Sequence, residues 1–494
     1  MDDSMFDPNG VAIIGASPGY FSGGSSFLQS LIAADFPKHK IYPINPKYKE
    51  INGIKAYKNI LDVPEPVDYC IIAVPKKYAF DALKQCAKKQ VKLVCSFTSG
   101  FSEIGNEEEE EKLVKIAKEG GVRLLGPNCI GICVPKIGLT FNQGIKAGPN
   151  WDGDVSIISQ SGGNADAFII NGTGIGLKFE KAISYGNGSD INADEILEYL
   201  KDDNETSLII QYLEGFKTRQ QGRRYLKILR KTTPRKPVIV WNGGLTPVGK
   251  RSIMSHTGSI SGDNKVIQAA FKQSGAIFVE NGGRDLLYTA LTISYLKKTN
   301  KFKNVGLNIG SVLGGGGNNV YFADLCSSIG LKFPDFDQET LDKLKNHVGE
   351  VGTLLRNPID LNVKMFSVNH VVKVIKILDD LDYIDVITFE PGLDWGIMNL
   401  QLMQKINPNS GIDFLDMMES NIKTLVRNIK KTKKPVLILS AQTFCDSDIV
   451  SKRNELEDKF RNALIPVYNT IETMAYSIVY TNQYKEFLNQ FSSS

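Results

Sequence analysis

The sequence predicts an α/β protein: a Rossmann-like domain followed by two flavodoxin-like doubly wound domains. Three observations carry that expectation. Short β-branched runs alternate with helical periodicity throughout the 494 residues, the pattern of parallel sheets covered by helices. The first run enters a glycine turn. Two later stretches repeat one order of features: strand, glycine turn, carboxylate-tipped strand, helix, Lys-Pro-Val strand. The length allows roughly three domains, and boundaries are expected at 1–145, 146–298 and 299–494.

The first domain opens with Val11-Ala12-Ile13-Ile14-Gly15-Ala16-Ser17, a strand running into its turn. Further strands are expected at Lys40–Ile44, Tyr69–Val74 and Lys92–Ser96. Strand, glycine turn and helix in this order fit a Rossmann-like fold. The second domain begins near Trp151 and the third near Lys301. Val155–Ser159 leads into Gln160-Ser161-Gly162-Gly163, and Val305–Ile309 leads to Gly314–Gly317. Ile209–Leu213 ends in Glu214-Gly215, and Val386–Phe389 ends in Glu390-Pro391-Gly392. The last strands of the pattern start at Lys236-Pro237-Val238 and Lys434-Pro435-Val436.

Composition narrows the function classes. A net charge of +4 over this length is too small to argue for nucleic acid or an anionic membrane. No stretch reaches the roughly 20 apolar residues needed to span a bilayer, and Met1-Asp2-Asp3-Ser4-Met5 lacks signal-peptide character. Seven dispersed cysteines, several in apolar runs, suggest buried reduced thiols in a cytoplasmic protein. Cys129 and Cys133 are too isolated for zinc, and no metal site is expected. The acidic run Glu107–Glu111 reads as a solvated helix face.

The chemistry concentrates on glycine turns and one histidine. Gly15-Ala16-Ser17-Pro18-Gly19 lacks the full dinucleotide fingerprint, so phosphate contact and a plain tight turn both stay open. Gly244 to Arg251 imitates a P-loop, but Arg251 replaces the Mg²⁺-binding hydroxyl and Pro247 removes an amide, so that assignment is rejected. Ser161, Gly162 and Gly163, and likewise Gly315 and Gly316, stand where a strand gives way to a helix. Exposed N–H groups there favour negative charge, and two such helix starts could pinch one phosphoryl group. His256 is one of only four histidines and lies in Ser255-His256-Thr257-Gly258-Ser259-Ile260-Ser261-Gly262. Small neighbours leave room for an anion, and a neutral imidazole is a competent nucleophile. Glu214 could orient that imidazole, or could be a surface carboxylate at a strand end.

Together these motifs resemble the alpha subunit of an ADP-forming acyl-CoA synthetase (acetate–CoA ligase, ADP-forming) in the succinyl-CoA synthetase superfamily. Ser255-His256-Thr257-Gly258-Ser259 is similar to that family's phosphohistidine loop. Support comes from Tyr42-Pro43-Ile44-Asn45-Pro46, Gly100-Phe101-Ser102-Glu103, Gly126-Pro127-Asn128-Cys129, Ser159–Gly162, Gly186-Asn187 with Asp190, and Asn357-Pro358-Ile359-Asp360. The resemblance implies a coenzyme A-binding first domain, with Gly15, Ser17, Asn45, Val74, Pro75 and Asn128 near the cofactor. It implies that His256 carries the phosphoryl group, Glu214 supports the imidazole, and Ser161-Gly162 cap the phosphate, opposed by the third domain's turn. Pro18–Gly24 departs from the family's shorter turn, which leaves contacts there open, and Ile260-Ser261 stands where Leu-Ala is usual. The family's ATP-grasp domain has no counterpart in these residues. A separate ATP-grasp beta subunit in a hetero-oligomer is therefore expected, holding ATP or ADP and Mg²⁺. The implied reaction interconverts acyl-CoA, ADP and phosphate with carboxylate, ATP and CoA. The alternatives are a non-catalytic CoA-binding regulatory subunit and, on the first glycine turn alone, an NAD-dependent dehydrogenase.

Overall fold

Alternate residues of the strand β1 (Val11–Ile14) enter two different cores. Val11 and Ile13 join Phe27, Leu28 and Leu31, whereas Ala12 and Ile14 join Ala79, Leu83 and Leu113. Burial on both faces is why the strand reads as an unbroken apolar run instead of an alternating one. The computed structural model describes residues 1–19, 23–142, 144, 148, 151–249, 251, 264–406 and 414–492. They cluster into two units, Met1–Leu287 and Tyr288–Ser494.

The first unit holds two large sheets. In the first, β2 (Ile41–Ile44), β1, β5 (Tyr69–Ile72), β6 (Leu93–Ser96) and β7 (Arg123–Leu125) lie in that order, all parallel. A short hairpin, β3 (Glu50–Ile51) and β4 (Ile54–Lys55), stands apart. The helices are α1 (Gly23–Ala33), α2 (Lys76–Lys88) and α3 (Glu107–Glu119). The second sheet contains β8 (Gly131–Cys133), β9 (Val155–Ser159), β10 (Phe179–Ser184), β11 (Leu208–Leu213), β12 (Val238–Asn242) and β13 (Ile277–Val279). Its order is β13-β12-β11-β9-β10, with β8 antiparallel at the edge. Its helices are α4 (Gly162–Gly174), α5 (Ala193–Asp202), α6 (Arg219–Thr232) and α7 (Asn264–Gln273), and α8 (Gly283–Lys298) runs across the division between the two units.

The second unit is built on β14 (Ile309–Leu313), β15 (Ile359–Asp360), β16 (Val386–Phe389), β17 (Val436–Leu439) and β18 (Val467–Tyr468), ordered β15-β14-β16-β17-β18. Its helices are α9 (Gly316–Ile329), α10 (Gln338–Val348), α11 (Val368–Asp380), α12 (Leu393–Ile406), α13 (Phe414–Ile429), α14 (Ser447–Arg461) and α15 (Ile471–Ser492). With its strands counted in chain order and β8 set aside, the second sheet has the same succession, 2-1-3-4-5, as the third. That is the flavodoxin-like order, with a topological switch between the first and third strands.

Two expectations need correction. The opening strand of the third sheet lies at Ile309–Leu313, not Val305–Ile309. Asp385 takes the earlier residues out of the ladder: it accepts the Asn308 N–H at 2.9 Å, and a Cβ on Gly306 would fall 2.2 Å from its Oδ2. The acidic run of α3 is also not uniformly solvated, because Glu110 is only 4% exposed. It lies three and seven residues before Leu113 and Ala117, on the buried stripe of the helix.

Glu110 fastens the first sheet's layer to the second's. It accepts from the Ser102 amide (3.2 Å) and hydroxyl (2.7 Å), from Asn187 Nδ2 (2.8 Å), from the Ser189 hydroxyl and from the Lys217 ammonium. Burial opposes its charge, but the Lys217 charge and these donors outweigh burial and hold the carboxyl below its ordinary range. Arg123 makes a second pin, reaching Asp190 at 3.0 Å and Glu195 at 2.8 Å. Thus Ser102, Asn187 and Asp190, all within resemblance motifs, do structural work. Glu110→Ala is expected to cost the first unit about 2 kcal/mol, because several buried donors lose one shared acceptor. Urea unfolding followed through Trp151 and Trp241 would measure it, and an unshifted transition would deny Glu110 this role.

All seven cysteines are free, six of them buried and Cys445 exposed. Among the described residues no helix is long and apolar enough to cross a membrane.

Candidate functional site at the carboxyl ends of the strands

In the second sheet β9 and β11 pair in parallel, with Ser159 opposite Tyr212. Their ends form the switch point where open α/β sheets bind ligands. Beyond β9, Ser161 is the N-cap of α4. It is in extended conformation, and its Oγ accepts the Asn164 N–H at 3.3 Å. Gly162 and Gly163 follow as the first helical residues, whose N–H groups have no partner within the helix. A Cβ on Gly162 would come to 3.0 Å from Ile130, but one on Gly163 would meet only open space up to Ser161 Oγ at 4.0 Å. Glycine at 163 therefore keeps the approach to the helix start clear.

Beyond β11, Glu214 is 5% exposed. Gln160 holds its backbone: one carboxamide oxygen accepts the Glu214 N–H (2.8 Å), the Gly215 N–H (3.3 Å) and the Tyr185 hydroxyl (3.2 Å). The Tyr212 hydroxyl donates to Glu214 Oε1 at 3.1 Å. The fold thus brings Ser161, Gly162, Gly163 and Glu214 to neighbouring strand ends. Gln160 and Tyr212 escaped the sequence reading, although Gln160 lies between two flagged serines and Tyr212 two residues before Glu214. His256, with all of 252–263, lies outside the described residues.

The first sheet gathers most of the expected cofactor residues in the same way. Gly15 has φ +98°, and a Cβ there would fall 2.4 Å from the Ala73 carbonyl oxygen, so no other residue fits the turn. Ser17 is tied to Ser25, whose hydroxyl donates to the Ser17 carbonyl at 2.6 Å. Asn45, beyond β2, donates to the Ala16 carbonyl at 2.7 Å. Val74 and Pro75 follow β5, and Pro75 caps α2. Gly15, Asn45 and Val74-Pro75 therefore stand at the ends of three adjacent strands. Asn128 lies elsewhere, beyond β7. Its amide donates to the Thr98 carbonyl at 3.1 Å, and its side chain approaches Asn187 at 3.5 Å.

In the second unit, Gly315 (φ +94°) donates its N–H to Asp360 at 3.1 Å and precedes α9, which Gly316 begins. Glu390, just past β16, occupies the place in the third sheet that Glu214 has in the second. Its carboxyl borders a crevice of about 720 Å³ together with Gly314, Gly315, Asn318, Tyr321 and Trp395. Burial raises that carboxyl to about 7, against the opposing pull of the Gly314 N–H. The folded state holds the proton more tightly than the ordinary 4.5, so this stabilisation is full below 4.5 and is lost as pH rises through about 7. Glu390→Gln is expected to stabilise the second unit by about 2 kcal/mol at pH 8 and to leave it unchanged at pH 4. Denaturant titrations at the two pH values would check this, and an equal effect at both would refute it.

The comparisons with known proteins agree with this layout. Residues 9–135 match the family described as a CoA binding domain, and residues 152–292 the succinyl-CoA ligase like flavodoxin domain. An ADP-forming acetate–CoA ligase of Methanocaldococcus jannaschii is 38% identical over 356 residues, 72% of this chain and 48% of that protein. The alpha subunit of ADP-forming acetate–CoA ligase II of Pyrococcus furiosus is 36% identical over 366 residues, 73% of this chain and 76% of that subunit. Among solved structures, a dinucleotide forming acetyl-coenzyme A synthetase of Ca. Korarchaeum cryptofilum, in complex with phosphate and ADP, superposes with TM-score 0.78 at 26% identity. That match covers 99% of this chain and 98% of the other. The chain spans about half the length of the M. jannaschii relative, of which the match covers 48%.

A layer that matches a CoA binding domain, followed by one that matches a succinyl-CoA ligase like flavodoxin domain, places the chain in the class of CoA-ligase-like proteins. Given the two acetate–CoA ligase relatives, the chain belongs to the family of ADP-forming acetate–CoA ligases.

Proposed function

We propose that this chain acts as the alpha subunit of an ADP-forming acyl-CoA synthetase, interconverting acyl-CoA, ADP and phosphate with carboxylate, ATP and CoA. The observation that supports it most is the placing of the Ser161-capped start of α4 beside Glu214, whose backbone Gln160 holds, at the switch point of the second sheet. In the energy-conserving direction, phosphate bound at Gly162 and Gly163 attacks the thioester carbonyl and expels the CoA thiolate, which takes up a proton. A ring nitrogen of His256 then attacks the phosphorus of the acyl phosphate, and the carboxylate leaves. Glu214 fixes the imidazole tautomer and stabilises its developing positive charge. Oriented helix amides stabilise the phosphoryl oxygens, and the start of α9 at Gly315 and Gly316 is a further phosphate-stabilising helix end.

Coenzyme A is assigned to the first sheet, where Gly15, Ser17, Asn45, Val74 and Pro75 surround the strand ends, with Asn128 toward the second sheet. Gly15 supports this fit by letting its turn pass directly against Ala73 and Val74, which sets the ends of β1 and β5 side by side. On this reading the chain divides into 1–145, 146–298 and 299–494, with β8 of the first segment pairing to β10 in the second sheet. ATP or ADP and Mg²⁺ belong to an ATP-grasp beta subunit in a cytoplasmic hetero-oligomer, and the ion there offsets phosphate charge. Incubation of the full chain with acetyl-CoA and radioactive phosphate tests the reading. Acid-labile label on the chain supports it, and its absence favours a non-catalytic CoA-binding subunit.

A further inference from the structure

Residues 212 and 214 lie two apart on an extended chain, so their side chains leave the same side of the strand. Tyr212 is therefore beside the carboxylate by construction. Its ring is held by packing, 4.8 Å from Trp241, which lies 6.2 Å from Phe168 of α4. The hydroxyl donates to Glu214 Oε1 at 3.1 Å. The start of α4, the helix that carries Phe168, is capped by Ser161. Burial, reinforced by the neighbouring Glu214 charge, pushes the phenol well above its usual range, so it remains a donor at neutral pH.

We infer that Tyr212 is a positioning residue for phosphoryl transfer, fixing the Glu214 carboxylate through its hydroxyl while its ring packs through Trp241 against α4. The inference rests on the reading above, in which Glu214 orients His256. The bond to Glu214 and the Tyr212–Trp241–Phe168 ring packing tie the carboxylate to α4 by side chains as well as by the two strand ends. A hydrogen bond to a carboxylate is among the stronger kinds, and its direction here selects one orientation of the Glu214 carboxyl group.

Tyr212→Phe keeps the ring and removes only the donor. With the full chain, acetyl-CoA and radioactive phosphate, labelling is expected to slow about tenfold while KM for acetyl-CoA stays at the wild-type value. The chain's four histidines give a second readout through isotope-labelled imidazoles, with His256 assigned by its loss in His256→Ala. Tyr212→Phe is expected to move the His256 signals and leave those of His39, His347 and His370 in place. In a Glu214→Gln background, the same change is expected to move them no further. Wild-type labelling rates in Tyr212→Phe, a changed KM at constant rate, or shifts that persist undiminished beside Glu214→Gln would each overturn the inference alone. No label on the wild-type chain would overturn the phosphocarrier reading, and the inference with it.

Discussion

His256→Ala is expected to reduce acid-labile phosphate on the chain to background and to abolish ATP formation from acetyl-CoA. The argument is chemical. Joining thioester cleavage to nucleotide phosphorylation at separate sites requires a group that accepts a phosphoryl and releases it again without great loss of free energy. A phosphoimidazole does this, whereas esters of the neighbouring hydroxyls of Ser255, Thr257, Ser259 and Ser261 hold phosphate too firmly. Label that moved onto one of those hydroxyls would be acid-stable and easily told apart. Phosphate-dependent release of CoA from acetyl-CoA precedes the carrier step, so it is expected to persist in the variant. That pattern separates a lost carrier from a lost fold. Acid-labile label still present on His256→Ala would refute the assignment.

How much of this was legible in the sequence follows from what each signal depends on. Strand runs buried on both faces, glycine turns and strand-end carboxylates are local patterns, and they placed Ser161, Gly162, Glu214, Gly15 and Gly315 correctly at carboxyl ends. The repeated order of elements in the last two domains reappears as one strand succession. Charged side chains were harder. Glu110 looked solvated because the four glutamates around it dominate the run, though its spacing to Leu113 and Ala117 carried the contrary signal. Gln160 could not be read from its neighbours, because its role depends on β11 lying next to β9, 54 residues apart in the chain. Asn45 and Asn128 have structural bonds that their motif positions did not announce: these hold a backbone turn and the junction between sheets.

The same blindness to buried charge hides the strongest structural dependence in the second unit. Asp394 opens α12 and accepts the Thr443 and Phe444 N–H groups at 2.8 and 3.0 Å. Arg453 Nη1 lies 3.0 Å from each of its oxygens, and Arg453 Nε lies 3.5 Å from Glu457 on the next turn of α14. The Arg453 and Asp394 side chains are 7% and 2% exposed, so water cannot replace a lost partner. Removing one member of such a cluster leaves an uncompensated charge, and Asp394→Ala is expected to cost about 3–5 kcal/mol. Asp394→Asn should cost less, since an acceptor survives for the loop amides. Asp394→Leu with Arg453→Met removes both charges and should recover much of the loss. Amide hydrogen exchange of β16 and β17 would read each variant. A cost below about 1 kcal/mol for the alanine change would mean that the arginine finds solvent or Glu457 sufficient. Thr443 also borders the crevice beside Glu390, so the loop that Asp394 anchors is part of that wall, and its loosening should let water reach Glu390 and lower the pH at which that carboxyl ionises.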